Sequence, residues 1–326
     1  VLNRELETPL ASATAPGKAI LLGEHAVVYG YPAIAVPVVA VEARATVWPA
    51  AGPFEIRSRL PAGDETTDVV VTVGVSPDED PLLTAARAAA ERAGLNPDRL
   101  PEWLVELAST VPMGAGLGSS AAVAVAIVRA VSAAAGAELD DYEVAELAFL
   151  AEQRTHGTPS GIDNTVVAYQ RPVRFSAGVA EPLAVAQPFT LLVADSGEQG
   201  PTAEMVAAVR SRRQQRPQTY RVWFEQVAGL VEKASTAMAR GELAPLGWAM
   251  NTNHLILQAL RVSTPRLDAL VAAARVAGAL GAKLSGAGGG GIVVALVDQD
   301  SVDAVAEAML ASGATRVIRT LVEAAE

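Results

Sequence analysis

Cysteine is absent from this sequence, and histidine occurs only as His25, His156 and His254. Without thiols the chain has no disulfide, no cysteine nucleophile and no thiolate metal site, and three scattered imidazoles argue against a histidine-rich metal cluster. Uninterrupted apolar runs are missing too. Mean hydropathy is positive, but alanine and valine supply most of it. Proline, glycine or charge breaks each long stretch, so no segment reads as a transmembrane helix and no membrane partner is expected. Positive charge is in deficit: 25 Lys and Arg against 36 Asp and Glu leave a net charge of −11. That is the reverse of the basic face a general nucleic-acid binder presents, and an anionic ligand has to be met by a local device. Residues 1–20 show no basic region followed by an apolar core, so they do not read as a secretory signal, and the cytoplasm is the expected compartment.

What is present is length and pattern. A chain of 326 residues buries a substantial core without staples and suits two domains. Residues 14–45 alternate short apolar runs with turn residues and predict strands around a functional loop. A strand is expected at 69–75, a helix at 80–93, and a strand at 103–111 that runs into a glycine-rich turn. Helices are expected at 120–135 and 140–154, the latter capped by Asp140 or Asp141. A buried strand at 190–194 precedes helical patterns at 201–213, 220–240, 243–260 and 265–277. The chain closes with strand, glycine loop, strand 292–297, helix 301–311 and strand 316–322. This order predicts an α+β class, with a boundary in the Gly- and Pro-interrupted stretch 176–190 that divides the chain into domains 1–182 and 183–326.

Four segments carry chemistry. In the first, Gly114, Gly116 and Gly118 alternate with Ala115 and Leu117, with Pro112 before them and Ser119 and Ser120 after, between a strand and a helix. Glycines let backbone N–H groups close on a phosphate, and a helix N-terminus favours an anion; a tight turn that only packs helix on strand is the other reading. A Walker A loop is excluded because Ser119, and not lysine, follows Gly118. A dinucleotide fingerprint on Gly116, Gly118 and Ala121 would take Glu138 or Asp140 as its acid, but residues 138–154 read as cap and helix where that motif needs a strand. The second segment, Lys283 to Gly291, ends in four consecutive glycines, which points to close approach of a ligand or another chain segment, or to a flexible connector. The third holds Lys18, Glu24 and His25 among Gly17, Gly23 and Gly30. The fourth leaves a helix carrying Glu152 and enters a loop in which Pro159 and Gly161 precede Asp163. Alone, the third reads equally as surface residues and the fourth as an Asx turn.

Taken in order, the four segments resemble the superfamily of galactokinase, homoserine kinase, mevalonate kinase and phosphomevalonate kinase. The resemblance runs from about Ala13 to Val322, and the loop ending Gly118-Ser119-Ser120-Ala121 is its most specific part. The runs 23–30 and 156–164 resemble the mevalonate kinase branch in particular. The resemblance implies a ribosomal-protein-S5-like N-terminal domain and a ferredoxin-like C-terminal domain. It implies ATP and Mg²⁺ as cofactors, mevalonate as the small-molecule substrate, and leaves a homodimer open. By motif, Asp163 and Lys18 match the catalytic pair, and Ser120 and Glu152 match the metal ligands. Pro112, Gly114, Ala115, Gly116, Leu117, Gly118, Ser119 and Ser120 match the nucleotide loop; Glu24, His25, Asp163 and Gly288 match the substrate side. Arg261 departs from the pattern, standing where the family usually has glycine before Val-Ser. Two rival functions remain on the sequence: another kinase of the superfamily, such as a phosphomevalonate kinase, which needs extra cationic contacts, and a catalytically silent binding protein that keeps the fold.

Overall fold

A computed structural model describes residues 8–62, 65–72, 80–156 and 159–325. In chain order it holds β1 (Ala11–Leu22), a 3₁₀ turn (Val27–Tyr29), β2 (Ala33–Pro49), β3 (Glu55–Ala62), β4 (Glu65–Thr72), α1 (Pro81–Arg92), β5 (Trp103–Ser109), α2 (Ser119–Ala134), α3 (Asp141–His156) and α4 (Ile162–Tyr169). There follow β6 (Val173–Ser176), β7 (Val179–Pro182), β8 (Phe189–Asp195), α5 (Thr202–Gln215), α6 (Pro217–Arg240), α7 (Leu243–Ala259) and α8 (Pro265–Val276). The chain ends with β9 (Gly281–Ser285), β10 (Ile292–Val297), α9 (Val302–Ala311) and β11 (Arg316–Val322).

The chain divides into two compact units that interleave in sequence. One comprises Val1–Gly17, Val41–Val111 and Gly118–Gln170; the other comprises Lys18–Ala40, Pro112–Leu117 and Arg171–Glu326. A single cut near residue 182 therefore describes the chain order but not these units. β1, β2 and the first glycine loop each contribute to both.

In the first unit, β5 pairs antiparallel with the second half of β2 and parallel with β3, and β3 pairs antiparallel with β4. Four helices complete it, and α2 touches α1, α3 and α4. A helix so surrounded has to be apolar all round. Accordingly Ala121, Ala122, Ala124, Val125, Ala126, Ile127, Val128, Ala130 and Val131 are all buried, which is where the alanine bias of the sequence is used. The helix ends follow their local chemistry. Asp80 Oδ1 accepts from Leu82 N and Leu83 N at the start of α1. At α3, Asp140 and Glu143 form a reciprocal capping box, Glu143 N to Asp140 Oδ1 at 2.8 Å and Asp140 N to Glu143 Oε2 at 3.1 Å.

In the second unit a four-stranded antiparallel sheet runs in the order β11-β8-β10-β9. With helices between its first and second and between its third and fourth strands in sequence, this is the β-α-β-β-α-β arrangement of a ferredoxin-like domain. β10 is buried at every position and β8 at all but its last, whereas β11, at the edge, alternates exposed and buried residues. The first part of β2 pairs with β6, which forms a hairpin with β7. Its two-residue turn, Ala177-Gly178, has positive φ at both positions (50° and 84°), as the primed hairpin turns require. Of the strand expected at 69–75, residues 73–75 lie outside the described residues.

Candidate active site

The end of β1 is held between the two glycine-rich segments. Lys18 N donates to Leu117 O at 2.9 Å, and Ile20 N donates to Ser285 Oγ at 2.9 Å. Lys18 itself is buried, at 4% exposure. The first glycine loop is anchored by alternate residues. Ala115 and Leu117 are buried while Gly114 and Gly116 are open, and Gly114, Gly116 and Gly118 all take positive φ, at 72°, 84° and 72°. A side chain on Gly116 would meet only Ser285 O, at 4.0 Å. Its conformation, not crowding, is what demands glycine there. Gly118 is the N-cap of α2, and no side chain caps that helix. A helix start of this kind, preceded by glycines, has the partial positive charge that favours an anion.

Beyond β1 the chain turns sharply. A Cβ on Gly23 would fall 2.4 Å from Ala33 Cα, and His25 takes a left-handed conformation with φ 62°. The turn is fixed from the second unit's other elements: Gly23 N donates to Asn253 Oδ1 at 3.3 Å, and His25 Nε2 donates to Ala287 O at 2.9 Å. Burial lowers the His25 pKa to about 4, with the Ala287 hydrogen bond opposing and Arg212 reinforcing that shift. The ring is therefore neutral at pH 7, with Nε2 committed and Nδ1 left as an acceptor. Glu24 is 1% exposed and ion-paired through Oε1 with the ammonium of Lys283, which is 0% exposed and also donates to Leu284 O at 2.6 Å. Burial pushes the Glu24 carboxyl up against the pull of Lys283 and then Lys18, and burial pushes the Lys283 ammonium down against the pull of Glu24. The second carboxylate oxygen, Glu24 Oε2, is buried without a hydrogen-bond partner among the described residues.

The first unit carries a hydroxyl and two carboxylates of its own. Ser120, in the first turn of α2, donates to Glu152 Oε1 on α3 at 2.6 Å, and Glu152 is buried. Asp163 occupies the first turn of α4, a helix the sequence pattern reads as loop. Gly161 caps that helix with φ 84°, and Asn164 Nδ2 bolts it to α3 through Ala145 O at 2.9 Å. Asp163 stands half-buried between buried Ile162 and Asn164, so its carboxylate rides on a rigid element.

Family models match at residues 81–171 (GHMP kinases N terminal domain) and 234–315 (GHMP kinases C terminal). The mevalonate kinase of Thermococcus gammatolerans is 39% identical over 325 residues, covering 94% of each chain. The chain belongs to the mevalonate kinase family. It is an ATP-dependent kinase whose acceptor is an alcohol. The crystal structure of L. major mevalonate kinase in complex with R-mevalonate shares the fold with a TM-score of 0.82 at 30% identity, covering 98% of this chain and 99% of that one. The Methanococcus jannaschii mevalonate kinase structure shares it with a TM-score of 0.82 at 23% identity, covering 99% and 100%.

The second glycine run has a different explanation from the first. A Cβ on Gly288 would fall 2.0 Å from Val262 O, one on Gly290 2.5 Å from Glu198 O, and one on Gly289 2.9 Å from Met205 Sδ. Gly289 N donates to Val262 O at 2.8 Å and Gly291 N to Glu198 O at 2.7 Å. Close approach of chain segments is what these glycines permit, and Val262 accounts for Gly288. Arg261 has φ 59°, the region that favours the glycine this family usually has there.

Lys283 is the residue whose part the sequence reading missed. A signal existed: one lysine in a strand, Gly281–Ser285, that is buried at every position has to find a buried partner of opposite charge. Asn253 gave no such signal, because its contact with Gly23 joins residues 230 positions apart.

Proposed function

We propose that this chain transfers the γ-phosphoryl group of ATP to the primary hydroxyl of mevalonate, with Lys18 and Asp163 as its catalytic residues. The observation that carries the reading is the seating of β1: Lys18 is tied through its own backbone to the first glycine loop, and Glu24 and His25 follow within one turn. The family relationship supports mevalonate as the acceptor, and the L. major relative was crystallised with it.

In this reading the open backbone of Gly114 to Gly118 and the N–H groups of Ser119 and Ser120 hold the triphosphate. Asp163 accepts the hydrogen bond of the acceptor hydroxyl and orients its lone pair toward the phosphorus. Lys18 stabilises the negative charge that gathers on the transferring oxygens. Phosphoryl transfer asks little covalent chemistry of a protein, so positioning and charge carry the rate. His25 Nδ1 and Glu24 Oε2 are acceptors suited to a polyol, and fixing Glu24 Oε1 on Lys283 leaves that second oxygen for a substrate hydroxyl.

The Ser120 and Glu152 pair fits Mg²⁺. Both donors are oxygens, the hydroxyl already lies on the carboxylate at 2.6 Å, and two protein ligands leave room for phosphate and water. When bound, the ion neutralises phosphate charge and fixes the rotamer of the triphosphate.

Release of ADP measured with mevalonate, phosphomevalonate, galactose and homoserine tests the reading. Turnover is expected with mevalonate, and Asp163→Asn and Lys18→Met are each expected to lower kcat about a thousandfold with the fold retained. Preference for phosphomevalonate would favour the superfamily rival; near-normal turnover in either variant removes that residue from its role.

A further inference from the structure

Helix α5 lies against the elements that carry His25. Arg213 places its guanidinium 4.4 Å from the ring centroid of Tyr29, in the 3₁₀ turn that follows His25. Met205, two turns earlier on α5, lies 2.9 Å from where a Cβ on Gly289 would stand. Between them in sequence is Arg212. Its Nε donates to Ala208 O at 3.1 Å, and its Nη1 reaches Arg261 O at 3.5 Å. These two carbonyls fix the plane of the guanidinium. Its third nitrogen, Nη2, is buried and has no hydrogen-bond partner among the described residues. Arg261 leads directly into Val262, whose carbonyl binds Gly289 N, and Ala287, two residues before, holds His25. The fork is thus built into the same knot of chain that seats the substrate-side histidine.

A guanidinium N–H withdrawn from water without an acceptor is costly, and an acidic protein had many carboxylates with which to satisfy it. The acceptor it suits is a ligand's anionic oxygen, because a hydrogen bond from a charged N–H to an anion is about twice as strong as a neutral one. We propose that Arg212 is a specificity-determining residue, with Nη2 donating to the substrate's carboxylate while the hydroxyl at the other end of the molecule is presented for phosphorylation. The assignment rests on the reading that Glu24 and His25 face the substrate. It adds what those two acceptors lack: a positive donor that separates a hydroxy acid from an uncharged polyol. The positive charge of Arg212 is already felt at His25, where it helps keep the ring neutral.

The test compares mevalonate with mevalonamide, whose carboxylate is an uncharged carboxamide, by ADP release from the full chain. For Arg212→Gln, KM for mevalonate is expected to rise about 10- to 100-fold with KM for ATP unchanged. KM for mevalonamide should move little, so the preference of the unaltered enzyme for the acid collapses. An equal rise for both substrates, or an unchanged KM for mevalonate, overturns the assignment. Arg212→Lys keeps the charge but loses the fork, and it reads the same comparison, with a smaller collapse, should Arg212→Gln not fold. Glu24→Gln and His25→Gln provide the separate control. If neither raises KM for mevalonate, the substrate-side reading itself fails; if both raise it and Arg212→Gln leaves the acid preference intact, only the Arg212 assignment fails.

Discussion

The two glycine-rich loops share a composition and differ in what their glycines are for. In the first, Gly114, Gly116 and Gly118 hold positive φ with their α-carbons open or half-open, a Cβ on Gly114 would meet only the flexible end of Gln199 at 3.0 Å, and buried Ala115 and Leu117 pin the loop beneath them. In the second, Gly288, Gly289 and Gly290 are pressed against Val262, Met205 and Glu198. One loop is glycine-rich so that its backbone stays accessible; the other is glycine-rich so that other chain segments can pass close to it. Composition alone does not separate a ligand cradle from a packing knot; the neighbours of the missing Cβ do.

That difference is broken most directly by alanine. Gly288→Ala puts a methyl 2.0 Å from a backbone oxygen that has no freedom to withdraw, at a φ of 79°. The expected loss is about 3 kcal/mol or more, since overpacking and left-handed strain add. The melting temperature should fall by roughly 4 °C. Gly116→Ala meets no atom nearer than 4.0 Å and carries only the conformational penalty, about 1 to 2 kcal/mol. Its main effect should fall on KM for ATP. Thermal melts of the two variants side by side decide the matter: equal destabilisation would mean the loops are not of different kinds.

A second, smaller effect concerns the footing of the clamped loop. His25 grips Ala287, while His254 Nδ1 accepts from Leu284 N at 3.4 Å and its Nε2 lies 3.2 Å from Asp268 Oδ1. Burial lowers both histidine pKa values to about 4 from an ordinary 6.5. Between those values the unfolded chain binds protons that the fold refuses, so stability is complete above pH 6.5 and is lost as pH falls toward 4. From pH 7 to pH 5 each histidine contributes a loss of about 2 kcal/mol. Glu24, whose pKa burial raises, works in the opposite direction. Ring resonances followed by NMR should show neutral imidazoles down to pH 5; a His25 midpoint near 6.5 would falsify this account of the loop's anchorage.

How much of this was legible in the sequence depended on whether the deciding contact was local. The helix starts at Asp80 and Asp140 were readable because a cap and its partners lie within three residues. The run Arg316–Val322 was readable because an edge strand alternates and β11 does. Helix α4 was not: it has eight residues, follows Pro159 and Gly161, and is stabilised by Asn164 reaching back 19 positions to Ala145. The interleaved units were hidden for a similar reason, since one long strand, β2, pairs with β5 through its second half and with β6 through its first. The candidate residues Lys18, Glu24, His25, Ser120, Glu152 and Asp163 were legible as motif types. The pairing of Glu24 with Lys283, 259 positions away, and the burial of Arg212 Nη2 depend on tertiary contacts that no spacing rule reaches.

Arg261 offers the smallest and finest test of the clamped loop. It holds φ 59° in the turn whose next residue, Val262, presses on Gly288. A left-handed conformation costs an L-residue about 1 to 2 kcal/mol, and glycine avoids that cost while giving back about 0.5 to 1 kcal/mol of unfolded-state entropy. Arg261→Gly should therefore stabilise the chain by roughly 0.5 to 1 kcal/mol, a rise of about 1 °C in the melting temperature. Because Arg212 reaches the main-chain oxygen of residue 261 and not its side chain, the substitution keeps that acceptor in place. KM for mevalonate should stay where it is. A stabilised variant with weakened mevalonate binding would mean that the exposed Arg261 side chain, and not only its backbone, takes part in seating the substrate.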